Sequence, residues 1–368
     1  MNGVGFLIWR LSQVKPIEKA IAALKRAEAE WVSIKFLDGL YLSNLVDADG
    51  KWTNEDSYLK EFIARLRAEG IKVGGWAFIY PGSSIPTQAN MAADIVYQYG
   101  LDHWLIDAEH VSSVGALWKT GDTGPDATRY MDNLHVPSGF PVALCSYRFP
   151  RYHPEFPFAE FVKHKRSTFI ASQMYWAGAH NPDEQLEASI AEYNKIAVLP
   201  HVPIGAAYEE WGWEPFPSDL VKFVDKAEEL YLSGEGFWSL DSAIDREDWL
   251  DSIAAANDAS LPVPPDPEPD PEPEPEPEPE PGDDCTLKIG VVQVDGLRVR
   301  SEIIPSVRYG RVPGVVYKPS TVWFSISAST KVDIIEEIKD GKNTWLRIGH
   351  RQYIAKVYDD KTYVTIGG

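Results

Sequence analysis

Residues 103–110 read HWLIDAEH, a short apolar run followed by Asp107 and Glu109, two carboxylates separated by one residue. Alternate residues of a strand face the same side, so if the run is a strand both acids share one face. Whether that face is an active-site rim or a solvated strand end depends on the rest of the fold, so the neighbouring segments decide it.

Apolar strand candidates recur on both sides of this stretch: VGFLIWRLS (4–12), WVSIKFLDG (31–39) and KVGGWAFIY (72–80) before it, and PVALCSYRF (141–149), TFIASQMYW (168–176), VPIGAAYEEW (202–211) and EGFWSLDSA (235–243) after it. Amphipathic stretches separate them. PIEKAIAALKRAEAE and NEDSYLKEFIARLRAEG repeat apolar residues at three- and four-residue steps, the second with Gly70 as a stop, and DREDWLDSIAAAND supplies a last helix. Eight strand–helix units over residues 1–260 predict an α/β fold of the (β/α)8 TIM-barrel type, with a doubly wound sheet as the competing architecture.

The segment LPVPPDPEPDPEPEPEPEPEPGDD (261–284) ends that pattern. Proline fixes φ and lacks an N–H, and the acids between prolines repel one another. An extended linker of roughly 60–70 Å is expected. Beyond it, residues 285–368 contain short β-runs (KIGVVQV, LRVRS, STVWFSIS, KVDIIEEI, TWLRIG, QYIAKVY, YVTI) that predict a small all-β barrel.

The net charge of −20 is unevenly distributed: residues 262–284 hold ten acidic and no basic side chains, whereas residues 285–368 hold 13 Lys and Arg against 8 Asp and Glu. A basic tail on an acidic body points to an anionic surface as the partner of the tail. No recognition helix or ribonucleoprotein motif is present, so no nucleic-acid partner is expected. No apolar run is long enough to span a membrane, and MNGVGFLIWRLS lacks a basic leader and a cleavage site, so it reads as a first strand. The expectation is a monomer made in the cytosol without a signal peptide. Two cysteines, Cys145 and Cys285, give no disulfide framework and no cysteine zinc site.

In a barrel the active site lies at the carboxyl ends of the strands, which places Asp107 and Glu109 at the catalytic end of the fourth. Adjacent carboxyls resist ionising together, which suits a general acid for a glycosidic oxygen and a partner that stabilises an oxocarbenium-like centre. Other strand ends carry Asp38, Tyr80, Tyr175, Trp176, Glu209, Glu210, Trp211, Trp238 and Asp241, carboxylates and aromatics suited to a sugar-binding cleft. A metal hydrolase has weak support: His103 and His110 flank the acids, but His103 falls deep in the barrel and no His-Glu-x-x-His occurs. Cys145, with His153 and His164 downstream, reads as a buried structural cysteine and not as a peptidase nucleophile. No phosphate loop and no Gly-x-Ser-x-Gly are present. No cofactor and no metal are expected.

On these residues the barrel resembles the lysozyme-type glycoside hydrolases of family 25 and, more distantly, the family 18 chitinase-like barrels. WVSIKFLDG and IKVGGWAFIYP are similar to the second and third strands of the lysozyme family, and LIDAEH stands where both families carry Asp-x-Glu. The resemblance implies Glu109 as the acid and Asp107 as its partner; SQMYW and GFWSLD imply Tyr175 and Trp238 as substrate contacts. Two departures stand out. Arg10 occupies the position where the lysozyme family ends its first strand with Asp, and Leu105 breaks the chitinase pattern otherwise met at Asp102, Asp107 and Glu109. GLRVRSEIIPS and NTWLRIGHRQYIA resemble the bacterial SH3-like family, whose usual task is wall binding. Barrel, linker and SH3-like domain together resemble a phage endolysin, which implies hydrolysis of bacterial peptidoglycan after release of the protein to the wall. A non-catalytic wall-binding or virion structural protein and a wall amidase are the alternatives.

Overall fold

The computed structural model describes residues 1–210 and 212–257 and, towards the C-terminus, 288–293, 297–300, 322–326, 331–334, 336–340, 343–349, 352–358 and 361–366. The chain divides into two compact units, Met1–Pro269 and Asp270–Gly368. The acidic proline stretch expected to be an extended linker lies outside the described residues.

Eight parallel strands build the first unit: β1 (Gly3–Ile8), β2 (Trp31–Asp38), β3 (Lys72–Phe78), β4 (Trp104–Asp107), β5 (Val142–Tyr147), β6 (Phe169–Met174), β7 (Ile204–Ala206) and β8 (Gly234–Trp238). Each pairs with the next in sequence, and β1 pairs with both β2 and β8, which closes the sheet into a barrel. This excludes the doubly wound sheet, in which two edges remain open. Helices α1 (Ile17–Arg26), α2 (Ser57–Ala68), α3 (Ile85–Tyr99), α4 (Gly124–Asn133), α5 (Phe158–Val162), α6 (Pro182–Ile196), α7 (Pro217–Glu229) and α8 (Glu247–Asn257) follow the strands. Their periodicity explains their seats: Ile17, Ala20, Ile21 and Leu24 of α1, and Leu59, Phe62, Ile63 and Leu66 of α2, are buried along one stripe. After α2 the chain turns through Gly70 at φ +82°, the left-handed conformation that glycine adopts without a Cβ penalty.

Strand alternation produces two separate apolar clusters. One, between sheet and helices, takes Phe6, Val32, Ile106, Leu144, Ile170 and Phe237; the other fills the barrel interior with Leu7, Trp31, Trp76, Leu105, Ala143, Cys145, Phe169 and Ala171. Gly5 and Gly236 leave room for the Trp31 indole, since a Cβ on Gly5 would fall 2.0 Å from its ring. Gly74 does the same for His103, whose buried ring meets Trp31 edge-on at 5.4 Å. Burial lowers that imidazole to a pKa of about 3, so His103 is a neutral part of the packed interior.

The described residues of the second unit form short antiparallel strands around Val292, Ile334, Leu346, Ile354 and Val364. The run expected as one strand over 331–338 gives two, Lys331–Ile334 and Glu336–Asp340. No helix among the described residues is long and apolar enough to cross a membrane.

Candidate active site

The interior packing stops short of the carboxyl end of the barrel and leaves a cleft of about 480 Å³. Strand alternation decides what lines it. Leu7, Trp76, Asp107, Glu109, Cys145, Tyr147, Gln173, Tyr175 and Trp238 extend the inward rows of their strands, and Tyr208 and Glu210 extend that of β7. Arg148, Phe149, Tyr152 and His153, from the loop after β5, form one wall.

Asp107 is the last residue of β4 and Glu109 lies just beyond it. Their carboxyl groups are close enough for Glu109 to raise Asp107 both by charge and by hydrogen bonding. Gln173, on the inward row of β6, donates from Nε2 to Oε1 of Glu109 at 2.8 Å and to Oδ1 of Asp107 at 3.3 Å. Burial first, and then the charge of Glu109, push Asp107 well above the usual carboxylate range, while Lys35 pulls weakly the other way. Asp107 therefore keeps its proton into a pH range where an isolated carboxyl would have lost it.

Aromatic side chains complete the cleft. Trp238 stands edge-on to Trp76 at 5.5 Å, and its indole lies 6.2 Å from that of Trp9. Tyr175 meets Tyr208 edge-on at 5.5 Å, and the Tyr208 hydroxyl donates to Oε2 of Glu210 at 3.0 Å. His153 stacks on Tyr147 at 3.4 Å; burial holds its imidazole below the usual range even though Glu109 pulls it up.

Of the residues singled out in the sequence, Asp107, Glu109, Tyr175 and Trp238 meet in the cleft. Trp176 does not: it belongs to the outward row of β6, is fully buried and packs 5.3 Å from Phe223 of α7. Glu209 also points away and pairs with Arg246 at 3.3 Å. Asp38 and Tyr80 are outside the lining and hydrogen-bond each other at 2.7 Å. Burial would raise the Asp38 carboxyl, but its bonds to Lys35 and Tyr80 outweigh that and hold it below its ordinary range. Asp241 accepts backbone N–H groups and contributes nothing to the lining. Trp211 lies outside the described residues.

The two departures from the family patterns also find their places. Arg10 stays outside the cleft with its guanidinium 3.8 Å over the Trp9 ring, and the inward residue of β1 nearest the site is Leu7. Leu105 is interior packing one layer below Asp107. Asp102 accepts the N–H of Val73 at 2.8 Å, a structural role at the far end of β4. Cys145 is buried, and burial pushes its thiol up, away from the thiolate a nucleophile needs. Among the described residues, no three His, Cys, Asp or Glu side chains converge on a point where a metal ion could sit.

Glu210, the other acid of the β7 end, lines the cleft as well. The sequence does not single out Gln173, Tyr208 or the wall from Tyr147 to His153 as cleft residues. A signal for the wall was present: SYRFPRYH sets three aromatic residues, two arginines and a histidine across the end of a strand and the loop that follows.

No protein-family model matches the chain, and no curated protein sequence does either. Among solved structures it is similar to the GH18 chitinase ChiB of Flavobacterium johnsoniae, at 11% identity over 69% of this chain and 93% of that one, with a TM-score of 0.47. It is similar to a xylanase-A-amylase inhibitor protein at 14% identity over 70% of this chain and 99% of that one, with a TM-score of 0.48. The modular autolysin LytC of Streptococcus pneumoniae, solved with a synthetic peptidoglycan ligand, matches at 14% identity over 45% of this chain and 37% of that one, with a TM-score of 0.33. At such identities and TM-scores these likenesses assign no activity, and a barrel by itself does not assign one either.

Proposed function

We propose that the barrel is a lysozyme-like glycoside hydrolase that cuts the glycan strands of bacterial peptidoglycan. The observation that carries this reading is the contact between Asp107 and Glu109 on the floor of an aromatic cleft, with Gln173 bonded to both. Retaining hydrolysis by two carboxyls places them about 5–5.5 Å apart on either side of the sugar, and inversion sets them farther apart. Two carboxyls in contact cannot flank a substrate. They act as one acid, and the nucleophile comes from elsewhere.

The substrate's own acetamido group meets that need. Glu109, nearer the mouth, takes the shared proton and gives it to the glycosidic oxygen as the bond to the anomeric carbon breaks. The acetamido oxygen attacks that carbon from the other face. Asp107, now ionised, orients the acetamido N–H and offsets the developing positive charge. Glu109 then removes a proton from the water that opens the cyclic intermediate, and the anomeric configuration is retained. Trp238, Trp76 and Tyr175 offer apolar faces for the sugar.

The basic residues 285–368 are proposed to hold the wall as an SH3-like domain, and the whole chain to act as a monomeric phage endolysin released from the host cytoplasm. Digestion of purified walls, followed by turbidity loss and mass spectrometry, tests the assignment. New reducing ends support a glycosidase. New amino groups indicate an amidase or peptidase, and binding without release indicates the non-catalytic alternative. Walls stripped of N-acetyl groups should resist.

A further inference from the structure

Arg148 is the only Lys or Arg among the described residues that line the cleft. Its Nη1 donates to the backbone carbonyl of Tyr175 and to Oε1 of Gln185 on α6, and both acceptors are neutral. Phe149 lies 4.9 Å from the guanidinium carbon. Arg151, three residues further along the same loop, is neutralised by Glu192. Arg148 has no carboxylate partner among the described residues, and its Nε and Nη2 have no acceptor there.

A half-buried cation without a counter-ion is unfavourable, and burial indeed pulls this guanidinium below its ordinary range. With Nη1 engaged, Nε and Nη2 remain as a planar two-donor edge, the shape that pairs with both oxygens of a carboxylate. The lining also holds three carboxyl residues, Asp107, Glu109 and Glu210, which repel an anionic group of the ligand from their side of the cleft.

We infer that Arg148 is a specificity-determining residue that binds a carboxylate carried by the glycan, so that the barrel selects acid-bearing amino-sugar strands over neutral ones. The inference rests on the glycosidase reading and narrows its substrate class. In peptidoglycan the carboxylate is that of the lactyl ether in peptide-free strands or that of the stem peptide in substituted ones.

The test is calorimetric binding in a Glu109→Gln background, which prevents turnover. The ligands are peptide-free strands with free lactyl carboxylates, the same strands after reduction of those carboxylates to alcohols, and peptide-bearing strands. A carboxylated ligand should bind about tenfold to a hundredfold tighter than the reduced one, and added salt should narrow the gap. Arg148→Gln, which can still donate to Tyr175, should abolish the preference; Arg148→Lys should keep much of it. Whichever carboxylated ligand loses affinity in Arg148→Gln identifies the source of the anion. Absence of binding, equal affinity for charged and reduced strands, or equal weakening of both by Arg148→Gln would overturn the inference, the last by reducing Arg148 to a brace between β6 and α6. Wall cleavage by the unaltered chain, measured in parallel, separates the two readings. Cleavage without carboxylate preference removes the inference alone, and carboxylate-dependent binding without cleavage removes the glycosidase reading alone.

Discussion

Asp241 accepts the backbone N–H of Trp9 at 2.8 Å through one oxygen and that of Arg10 at 2.6 Å through the other. This ties the turn after β8 to the end of β1 and sets the Trp9 indole beside that of Trp238 at the edge of the cleft. Asp241→Ala strands two donors and should cost about 1–3 kcal/mol of stability in chemical denaturation. It should raise KM more than it lowers kcat, because it loosens an aromatic wall and leaves the acid pair in place. An unchanged KM would show that Trp9 plays no part in binding.

Glu109→Gln removes the proton donor while keeping shape and hydrogen-bonding capacity. Wall lysis should fall by about 10²–10⁴-fold with the fold intact by circular dichroism. The pH profile carries the sign of the Asp107 shift. Its carboxyl is raised, so the proton it holds for Glu109 is present below that raised pKa and lost as pH rises through it, and activity falls on the alkaline side. Asp107→Asn should slow the reaction and move that alkaline limb.

Glu235 offers a stability test away from the cleft. It is buried on β8, and burial, helped by Glu228 and Glu30, lifts its carboxyl from 4.5 to about 7. The folded state thus prefers the protonated form. Its contribution is fully present below pH 4.5 and is lost as pH rises through about 7, a cost of about 3 kcal/mol above that window. Glu235→Gln should raise the melting temperature at pH 8 and have little effect at pH 4. A pH-independent effect would contradict the assignment.

Trp176 gives the converse case. Truncating this fully buried indole to alanine should cost about 3–5 kcal/mol of stability. The fraction that remains folded should keep its kcat/KM, since the side chain faces α7 and not the cleft. Loss of activity at unchanged stability would return Trp176 to the site.

The basic tail predicts a division of labour. A chain ending near residue 261 should cleave small soluble N-acetylated glycans as well as the full chain does, yet sediment poorly with walls. Wall attachment of the full chain should weaken with salt. Equal sedimentation of the two would refute the wall-binding assignment of residues 285–368.

The positions of all eight strands were legible because each is a short apolar run between amphipathic stretches, and hydrophobic period is a local property of the chain. Their ends were not. The expected strand 202–211 shortens to Ile204–Ala206, and 103–110 to Trp104–Asp107. Apolar and aromatic residues continue past the last ladder bond because they line a cleft, so composition alone extends the strand into the rim.

Asp107 and Glu109 were legible as a pair, since spacing by two puts both on one face. Aromatic richness at a strand end says nothing of row: Tyr175 shares the inward row with Gln173, and its neighbour Trp176 takes the other. The same alternation sends Glu210 inward and Glu209 outward. Gln173 carried no local signal, because an amide becomes part of a site through what distant strands bring to it. Gln173 is 64 residues from Glu109, yet their bonded atoms are 2.8 Å apart. The sequence by itself determined the eight strand–helix units and the placing of the acid pair on one strand face, both of which follow from periodicity along the chain. Only closure of the sheet decided which side chains meet across the cleft, because closure joins β8 to β1 and sets eight inward rows around one space.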